Sequence, residues 1–583
     1  MYLPTLVLPF FIDDYRNQRL MGEFRAGERP TLDLYRFFTS NTGNAADRAA
    51  GYAPWWTSDR LRFEYQRPLT EWSLYAGYRI FPTSPAAQRA IGIAIYLACV
   101  LGVLELFRAV GAAERVARWA ALIFAVASCH AVPVVFIAAR CDLLALLATI
   151  GCVLCGLRFG ENGRTHWSAL CLLCYAAGLL SKEAAFPSCV AFLCAAWAAN
   201  LKMPESARRD HLGRSAAMFL SLALMAGAWL YWHRSVGDSI NVTPVLDPLR
   251  RPLEYLREAP LRVLIYFSSW LLPINPAIFF YHSSGRGPLR IYLAVAVVLL
   301  LLAAWRLFPA LRRDRTARCF ALWPLPFLAI LACALPDERL MMLPSIGLCY
   351  LGAAWLCGSS TPPTPRARMD RWAPPVLFLI LPTLTSLATS AVVYGLETRA
   401  AQDLRFVTAD AQASVVKAAA ASQGTMIDAT VMQRFNTPQI FFVNAAQSIH
   451  AIWAQDRADW VLGAGSPAFD LLCDLPDVKI EVIDEYTLRL TRRTDAFFDT
   501  LLGNFALPAG TVIQAGQAFA SRGFEVTVRA VESGFPTELE LRFHAKLADP
   551  SYYFCHITND APPAHWIPKV GEQRTFTAFA KES

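Results

Sequence analysis

The chain has 583 residues, of which 55% are hydrophobic and 17% are charged, and its mean hydropathy is +0.34. Soluble globular proteins carry about 25% charged residues, so this composition excludes a disordered chain, a collagen-like chain and an ordinary cytosolic enzyme, and it favours many membrane spans. The formal net charge of +8 would suggest nucleic-acid binding in a soluble protein. In a membrane protein it reflects basic cytoplasmic loops, so we expect no nucleic-acid partner.

The composition divides into two parts. Apolar stretches recur up to residue 395, whereas no later stretch approaches the roughly 20 apolar residues of a spanning helix. We therefore predict a polytopic α-helical membrane domain over 1–395 and an extracytoplasmic soluble domain over 396–583. The second part is long enough to bury its own core.

Eleven spans are predicted. The first lies at residues 1–12, which are too few to cross a bilayer, so we expect them to be the outer end of a span whose start is clipped or misplaced. Segment 262–280 is apolar but contains Pro273 and Pro276, and it is predicted to be re-entrant or interfacial. The other ten spans are predicted at 89–109, 117–136, 141–157, 167–181, 184–200, 215–233, 289–308, 319–334, 341–357 and 373–395.

Five short arginine- and lysine-rich loops set the orientation by the positive-inside rule. They place the N-terminus inside and the C-terminal domain outside, with residues 13–88 as the first outer loop. We expect a multi-pass protein of the cell inner membrane whose C-terminal domain is periplasmic. The same orientation gathers a set of ionisable residues at the outer ends of spans: Asp13, Asp14, Arg140, Asp142, Lys182, Glu183, Asp337, Glu338 and Arg339.

Charges at membrane depth are costly and are often functional. Adjacent acids suit a general base or a cation-holder, and nearby arginine and lysine suit a phosphate. The combination indicates sugar transfer from a polyprenyl-phosphate donor to a hydroxyl group, with the cations stabilising the leaving lipid phosphate. Aromatic residues of the first outer loop, such as Trp55, Trp56, Trp72 and Tyr75, would stack on sugars or form an interfacial belt.

Five motifs carry a resemblance to a known family. They are FFIDDYRN at 10–17, YQRPLTEWSLYAGYRIF at 65–81, HAVPVVFIAARCDLLALL at 130–147, YAAGLLSKEAAFPSCV at 175–190 and DERLMMLPSIG at 337–347. In this order they resemble the GT-C superfamily of membrane glycosyltransferases, and most closely the protein O-mannosyltransferase branch, its transmembrane-and-TPR members and their bacterial relatives. The resemblance covers about two-thirds of the chain.

The resemblance implies a lipid-linked donor, inversion at the anomeric carbon and an active site beneath the first outer loop. Either Asp13 or Asp14 would be the catalytic base. Contacts to the donor phosphate or the substrate are implied for Arg140, Lys182, Glu183, Arg67 and Arg339, and supporting roles for Asp142, Glu338 and His130. No cofactor is expected, and the sequence leaves open whether the reaction needs a divalent metal. The partners would be a polyprenyl-phosphate sugar, membrane lipid and a protein or glycolipid acceptor.

The sequence also departs from the family pattern. Val132 replaces an acidic residue that the family has two positions after the histidine, and Met341 or Met342 replaces a tyrosine. No 34-residue TPR period follows residue 396. Two alternative functions stay open, a transporter or flippase for a lipid-linked sugar and a non-catalytic scaffold that presents the C-terminal domain.

The C-terminal domain is predicted to begin with a helix over 398–421, whose apolar face is Leu404, Val407, Ala411 and Val415. Residues 480–493 predict a hairpin that turns at Asp484–Glu485. Further strands are predicted at 424–432, 438–443, 459–463, 511–515, 524–531, 538–545, 552–558 and 575–579. Cys473 and Cys555 could form a disulfide in an oxidising compartment, whereas the pairs Cys152/Cys155 and Cys171/Cys174 fit apolar helices better than a metal site. We expect an accessory module that binds an acceptor or a partner.

Overall fold

The structure is a computed structural model of the chain. It describes residues 2–11, 13–39, 42–235, 240–242, 245–272, 286–358, 376–421, 438–444, 454–462, 467–475, 477–493, 496–498, 506–508, 510–556 and 563–577. Three predicted features lie outside these residues: the strand at 424–432, the prolines of segment 262–280, and residues 366–371 of one of the five basic loops.

Helices dominate the N-terminal two-thirds of the chain. In chain order they are α1 (Asp13–Ala26), α2 (Thr42–Ala50), α3 (Pro68–Ile80), α4 (Pro85–Ala109), α5 (Glu114–Val126), α6 (Ala131–Val135), α7 (Arg140–Asn162), α8 (Thr165–Ser181), α9 (Ser188–Lys202), α10 (Glu205–Ser235), α11 (Pro252–Leu271), α12 (Arg286–Arg313), α13 (Arg315–Leu322), α14 (Pro324–Leu331), α15 (Ser345–Gly358) and α16 (Leu381–Ala421). Helix α17 (Ala454–Leu462) lies in the C-terminal part.

Six helices in the described part of the chain are long and apolar enough to cross a membrane, and a bent pair would make a seventh. They are Pro85–Ala109, Ile137–Asn162, Glu183–Lys202, Glu205–Ser235, Leu289–Pro309 and Phe378–Ser414. The bent pair is Glu114–Val126 with Ser128–Val135, which meet at 54°. The predicted count of eleven spans is therefore not confirmed.

The shortfall has local causes. The predicted span 319–334 is divided at Trp323, where α14 begins with a proline, and Thr165–Ser181 and Ser345–Cys357 are short apolar helices. Helix α11 is not among the candidate spans. At the start of the chain only Leu3–Val7 is helical, as a 3₁₀ turn, because Leu8 precedes Pro9 and is extended.

Helix α16 crosses the predicted domain boundary. It continues over 41 residues, about 60 Å at 1.5 Å per residue, so residues 395 and 396 lie inside one helix. Its predicted apolar face is confirmed at Leu404, Val407 and Ala411, which pack against a sheet of the C-terminal part. The side chain of Val415 lies outside the described residues.

Two sheets form the C-terminal part. One has the strand order β11-β10-β3-β4, with β3 parallel to both neighbours; the other is antiparallel with the order β12-β5-β6-β9-β8-β7. The strands are β3 (Gln439–Phe442), β4 (Ala468–Leu471), β5 (Val478–Val482), β6 (Thr487–Arg492), β7 (Ala518–Ala520), β8 (Phe524–Glu532), β9 (Phe535–Phe543), β10 (Tyr552–His556), β11 (Ala564–Trp566) and β12 (Gln573–Phe576). The first outer loop adds the pair β1 (Arg36–Thr39) and β2 (Arg62–Glu64).

Most of the strand predictions are confirmed, including the hairpin of β5 and β6. The strand predicted at 459–463 is wrong, because residues 459–462 form the end of helix α17; residue 463 lies outside the described residues. Residues 511–514 are irregular, and the nearby strand is β7. Cys473 and Cys555 are buried free thiols in two different apolar clusters, so the disulfide is not formed.

The first outer loop is part of the C-terminal core. Trp55 and Trp56 are 4% and 0% exposed and pack among the inner side chains of the six-stranded sheet. Trp56 stacks on Phe498 at 5.4 Å between ring centroids, and the indole N–H of Trp55 donates to the carbonyl of Leu471 at 3.0 Å. These two tryptophans are therefore not available to stack on a sugar.

Trp56→Ala should destabilise the protein by roughly 3–5 kcal/mol, because it removes a large, fully buried side chain. Trp72→Ala is the matched control, since Trp72 lies on the same loop and is 56% exposed. Thermal unfolding of the purified protein in detergent should show a lower Tm for the first variant and little change for the second. Equal effects would contradict the burial of Trp56.

Candidate functional site

The two acids of the first motif open helix α1. Negative side chains are favoured there because the N-terminus of a helix carries unpaired N–H groups and a positive dipole end. Asp14 accepts a hydrogen bond from the backbone N–H of Phe11 at 3.1 Å, and its own N–H donates to the Phe11 carbonyl at 2.9 Å. This reciprocal pair fixes the first turn of the helix.

Asp14 also joins α1 to the membrane helices. Its second carboxylate oxygen accepts the N–H of Ala138 at 2.9 Å, in the 3₁₀ turn that precedes α7. Asp14 is fully buried, and burial raises its pKa to about 7, although the Arg89 guanidinium and the two N–H donors act in the opposite direction. Both oxygens are therefore committed to the fold.

Asp13 differs from its neighbour in exposure. It is half-buried, whereas Asp14 has no exposed surface. A general base must reach the proton that it removes, so a partly exposed carboxylate suits that role better than one enclosed by backbone N–H groups. The structure thereby separates two residues that the sequence left equivalent.

A second group of predicted residues surrounds the start of α7. Arg67 binds Glu183 with both ends of its guanidinium, at 2.6 Å from Nη2 to Oε1 and 3.1 Å from Nε to Oε2. Lys182 Nζ lies 2.5 Å from Asp142 Oδ1, and both side chains are 7% exposed. We call Arg67, Asp142, Lys182 and Glu183 the ion-pair group.

Tyr35 connects this group to the acids. Its hydroxyl donates at 2.6 Å to the carbonyl of Ala138, and the N–H of the same Ala138 donates to Asp14. The Arg67 guanidinium lies over the Tyr35 ring at 4.9 Å and over the Tyr65 ring at 4.2 Å. The motifs at 65–81, 130–147 and 175–190 thus meet near the start of helix α1, which carries the motif at 10–17.

Arg140, which is predicted to contact the donor phosphate, is bonded to backbone and side-chain oxygens of α3 and α4. It is 2% exposed and donates to the carbonyl of Ser73 at 3.0 Å and to the carbonyl and side-chain oxygens of Gln88 at 3.1 and 2.9 Å. Gly77 permits this contact, because a Cβ there would lie 3.0 Å from the guanidinium and 2.6 Å from the Gln88 oxygen. Arg140 joins α3 to α4 and α7.

His130 and Glu338 are two further predicted residues, and both are buried. His130 is fully buried between the hydroxyls of Tyr96 and Ser345, at 2.8 and 3.0 Å. Glu338 is 4% exposed, and burial followed by the charge of Asp337 raises its pKa to about 8. Among the described residues, neither of the two is hydrogen-bonded to Asp14 or the ion-pair group.

Arg339 has a different environment. Its side chain is 37% exposed, and its Nε lies 3.0 Å from Asp337 Oδ2. Of the four cations predicted to contact the donor or substrate, it is the most exposed, since Arg67, Arg140 and Lys182 are all buried. In the part of the chain that the structure describes, no group of three His, Cys, Asp or Glu side chains is arranged to hold a metal ion.

Sequence reasoning missed Arg89 and Tyr35. Arg89 is 1% exposed and donates to the carbonyls of Val135, at 2.9 Å, and of Leu8 and Pro9. Its position at the start of an apolar helix was the available signal, because a charge that must be buried there needs a partner. Tyr35 carries no such signal, since a single tyrosine in a loop resembles any other.

The comparisons with known proteins come from solved structures alone, since no family model and no curated protein matches the chain. The archaeal oligosaccharyltransferase AglB from Archaeoglobus fulgidus, in complex with an inhibitory peptide and a dolichol-phosphate, has 10% identity and a TM-score of 0.41 over 79% of this chain. The apo form of the A. fulgidus oligosaccharyltransferase has 12% identity and a TM-score of 0.41 over 80% of this chain. The match covers 61% of each of those chains, so this chain spans about three-fifths of their length.

Arg67→Gln should destabilise the protein by roughly 1–3 kcal/mol, because it leaves the half-buried Glu183 without its bidentate partner. Arg67→Lys should recover only part of the loss, since lysine is a point charge and cannot form the two parallel bonds. Thermal unfolding in detergent measures both effects. Equal stability of Arg67→Lys and the wild type would show that the bidentate geometry is unimportant.

Asp14→Asn should change how stability depends on pH. The pKa of Asp14 is raised in the folded protein, so the folded state binds more protons between pH 4 and 7 and stability falls as the pH rises through that window. Asparagine does not ionise and lacks this loss. The Tm of Asp14→Asn relative to the wild type should therefore increase from pH 5 to pH 8, and a constant difference would contradict the raised pKa.

Proposed function

We propose that the chain is an inverting membrane glycosyltransferase of GT-C type, which transfers a sugar from a polyprenyl-phosphate donor to a hydroxyl acceptor on the outer face of the inner membrane. The observation that carries the proposal is the half-exposed Asp13 beside the buried, doubly bonded Asp14.

Asp13 is the general base of the reaction. Its carboxylate takes the proton of the acceptor hydroxyl as the hydroxyl oxygen forms a bond to the anomeric carbon on the face opposite the phosphate. The bond from that carbon to the phosphate oxygen breaks, and its electron pair leaves with the polyprenyl phosphate. Asp14 holds the first turn of α1 and thereby aims Asp13.

Arg339 contacts the leaving phosphate in this scheme. It is partly exposed, and phosphate can replace or share its bond to Asp337, whereas Arg67 and Lys182 are held in buried ion pairs. A cation placed where negative charge develops stabilises the transition state. In this scheme the ion-pair group holds the site in place without contacting the phosphate. Arg140 links helices α3, α4 and α7 beside it.

The partners follow from the reaction. The donor is a polyprenyl-phosphate sugar that stays in the membrane, and the acceptor is a protein hydroxyl or a glycolipid. The C-terminal part, which we assign to the periplasm, lies against the helix that carries the base, since Tyr15 and Arg19 of α1 contact Arg457 and Asp456 of α17. A transporter would need polar groups near the bilayer midplane, whereas the acids and the ion-pair group meet at the outer ends of helices.

Asp13→Asn should lower kcat by about 10²–10⁴-fold, because it removes the base and keeps the shape of the side chain. Donor binding should change little, since Asp13 acts on the acceptor hydroxyl in this scheme. Transfer from a polyprenyl-phosphate sugar to a hydroxyl acceptor by the purified enzyme measures both.

Asp59→Asn is the matched control, because Asp59 is an acid of the same loop whose side chain is 57% exposed in an ion pair with Arg48. It should keep wild-type kcat. Full activity of Asp13→Asn would exclude the base assignment. The flippase alternative would be favoured by two results together: the wild type transfers sugar with no donor or acceptor class, and it moves the lipid-linked sugar between the leaflets of a vesicle membrane.

A further inference from the structure

Helix α17 of the C-terminal part lies against helix α1, which carries the two acids at its start. The contact is made by polar and charged side chains on both helices and on α16. Such groups are costly to bury unless each is paired, so their arrangement is specific in a way that apolar packing is not.

The first set of contacts is centred on Arg19. Its Nε lies 2.6 Å from Asp456 Oδ1, with the two side chains 17% and 0% exposed. The Arg19 guanidinium also lies 3.7 Å from the centre of the Tyr52 ring, and the Tyr52 hydroxyl donates to Asp459 at 3.1 Å. Arg19 thereby connects α1, the first outer loop and α17.

The second set of contacts lies one turn closer to the acids. Arg457 Nη2 is 2.8 Å from Glu397 Oε1 of α16, with the two side chains 2% and 0% exposed. The Tyr15 hydroxyl lies 3.4 Å from the other oxygen of Glu397, and the Arg457 guanidinium is 5.3 Å from the Tyr15 ring centre. Tyr15 directly follows Asp14, so this buried pair contacts the residue two positions after Asp13.

Apolar contact completes the arrangement. Phe10 packs edge to face on Trp460 of α17 at 5.2 Å between ring centroids, and the Tyr15 hydroxyl donates to the Phe10 carbonyl at 2.9 Å. The chain on both sides of the acids is thus fixed to α17. The bonds from Asp14 to Phe11 and Ala138 fix the same turn to the membrane helices.

We propose that α17 is a positioning element of the active site and that Asp456 and Arg457 are positioning residues for the base Asp13. The inference rests on the proposed function. The C-terminal part is then a required component of catalysis, which differs from a detachable module that only recruits an acceptor. A displacement of about 1 Å of a catalytic group can cost about 10²-fold in rate, so a loosened α1 should be detectable in kcat.

The test compares Asp456→Asn and Asp456→Glu in the full-length enzyme. Asp456→Asn leaves Arg19 without its carboxylate partner on α17; it should lower kcat by about 10–100-fold, keep the donor KM within about threefold, and increase amide hydrogen exchange of residues 13–26. Asp456→Glu keeps the charge and should restore a large part of kcat. Glu540→Gln is the control, because it breaks an ion pair with Arg529 on the six-stranded sheet, away from α1.

Tyr52→Phe is a milder second variant in case Asp456→Asn does not fold. It removes only the hydroxyl that donates to Asp459, and it should raise the exchange of α1 and lower kcat in the same direction by a smaller factor. Wild-type kcat with raised exchange would overturn the positioning role, and unchanged exchange would overturn the contact itself. A wild type without transferase activity would overturn the proposed function, while the exchange data would still decide whether α17 holds α1.

Discussion

The carboxylate of Asp14 accepts backbone N–H groups from two distant parts of the chain, and the rest of the candidate site depends on this. A buried carboxylate is tolerated only when its oxygens are bonded, and here the donors are Phe11 and Ala138. The two bonds place the start of α1 against the 3₁₀ turn before α7. Asp13 keeps part of its surface exposed. Tyr35, whose ring lies under the Arg67 guanidinium, donates to the carbonyl of the same Ala138.

Breaks in the membrane helices explain several charges at their ends. A helix that ends inside an apolar bundle leaves carbonyls without partners, and a buried arginine can satisfy them. Arg89 does this for Val135 at the end of α6 and for Leu8 and Pro9 in the extended segment before α1. The same bonds place the positive charge near Asp14. A charge in this position therefore satisfies buried carbonyls and also acts on the carboxylate of Asp14.

The sequence predicted the class of the fold and the meeting of its motifs better than the contacts of each residue. Apolar length and strand alternation located most of the helices and strands, and the paired acids indicated the site. Whether an arginine bonds a carbonyl depends on the packing of distant segments, so the sequence alone did not show that Arg140 donates to the carbonyls of Ser73 and Gln88. The separation of Asp13 from Asp14 also needed the structure, because adjacent identical residues differ only in what surrounds them.

The change in composition near residue 395 does not mark where one folding unit ends. Trp55 and Trp56 leave the first outer loop to fill the core of the six-stranded sheet, and α16 passes through the change without a break. Composition reports which solvent surrounds a segment, whereas folding units are set by shared cores and paired charges. Arg19 and Asp456 are 437 residues apart and lie in parts of different composition, yet they form a buried ion pair. The helix that carries Asp13 and the C-terminal part are therefore held together by buried contacts between segments that are distant in sequence.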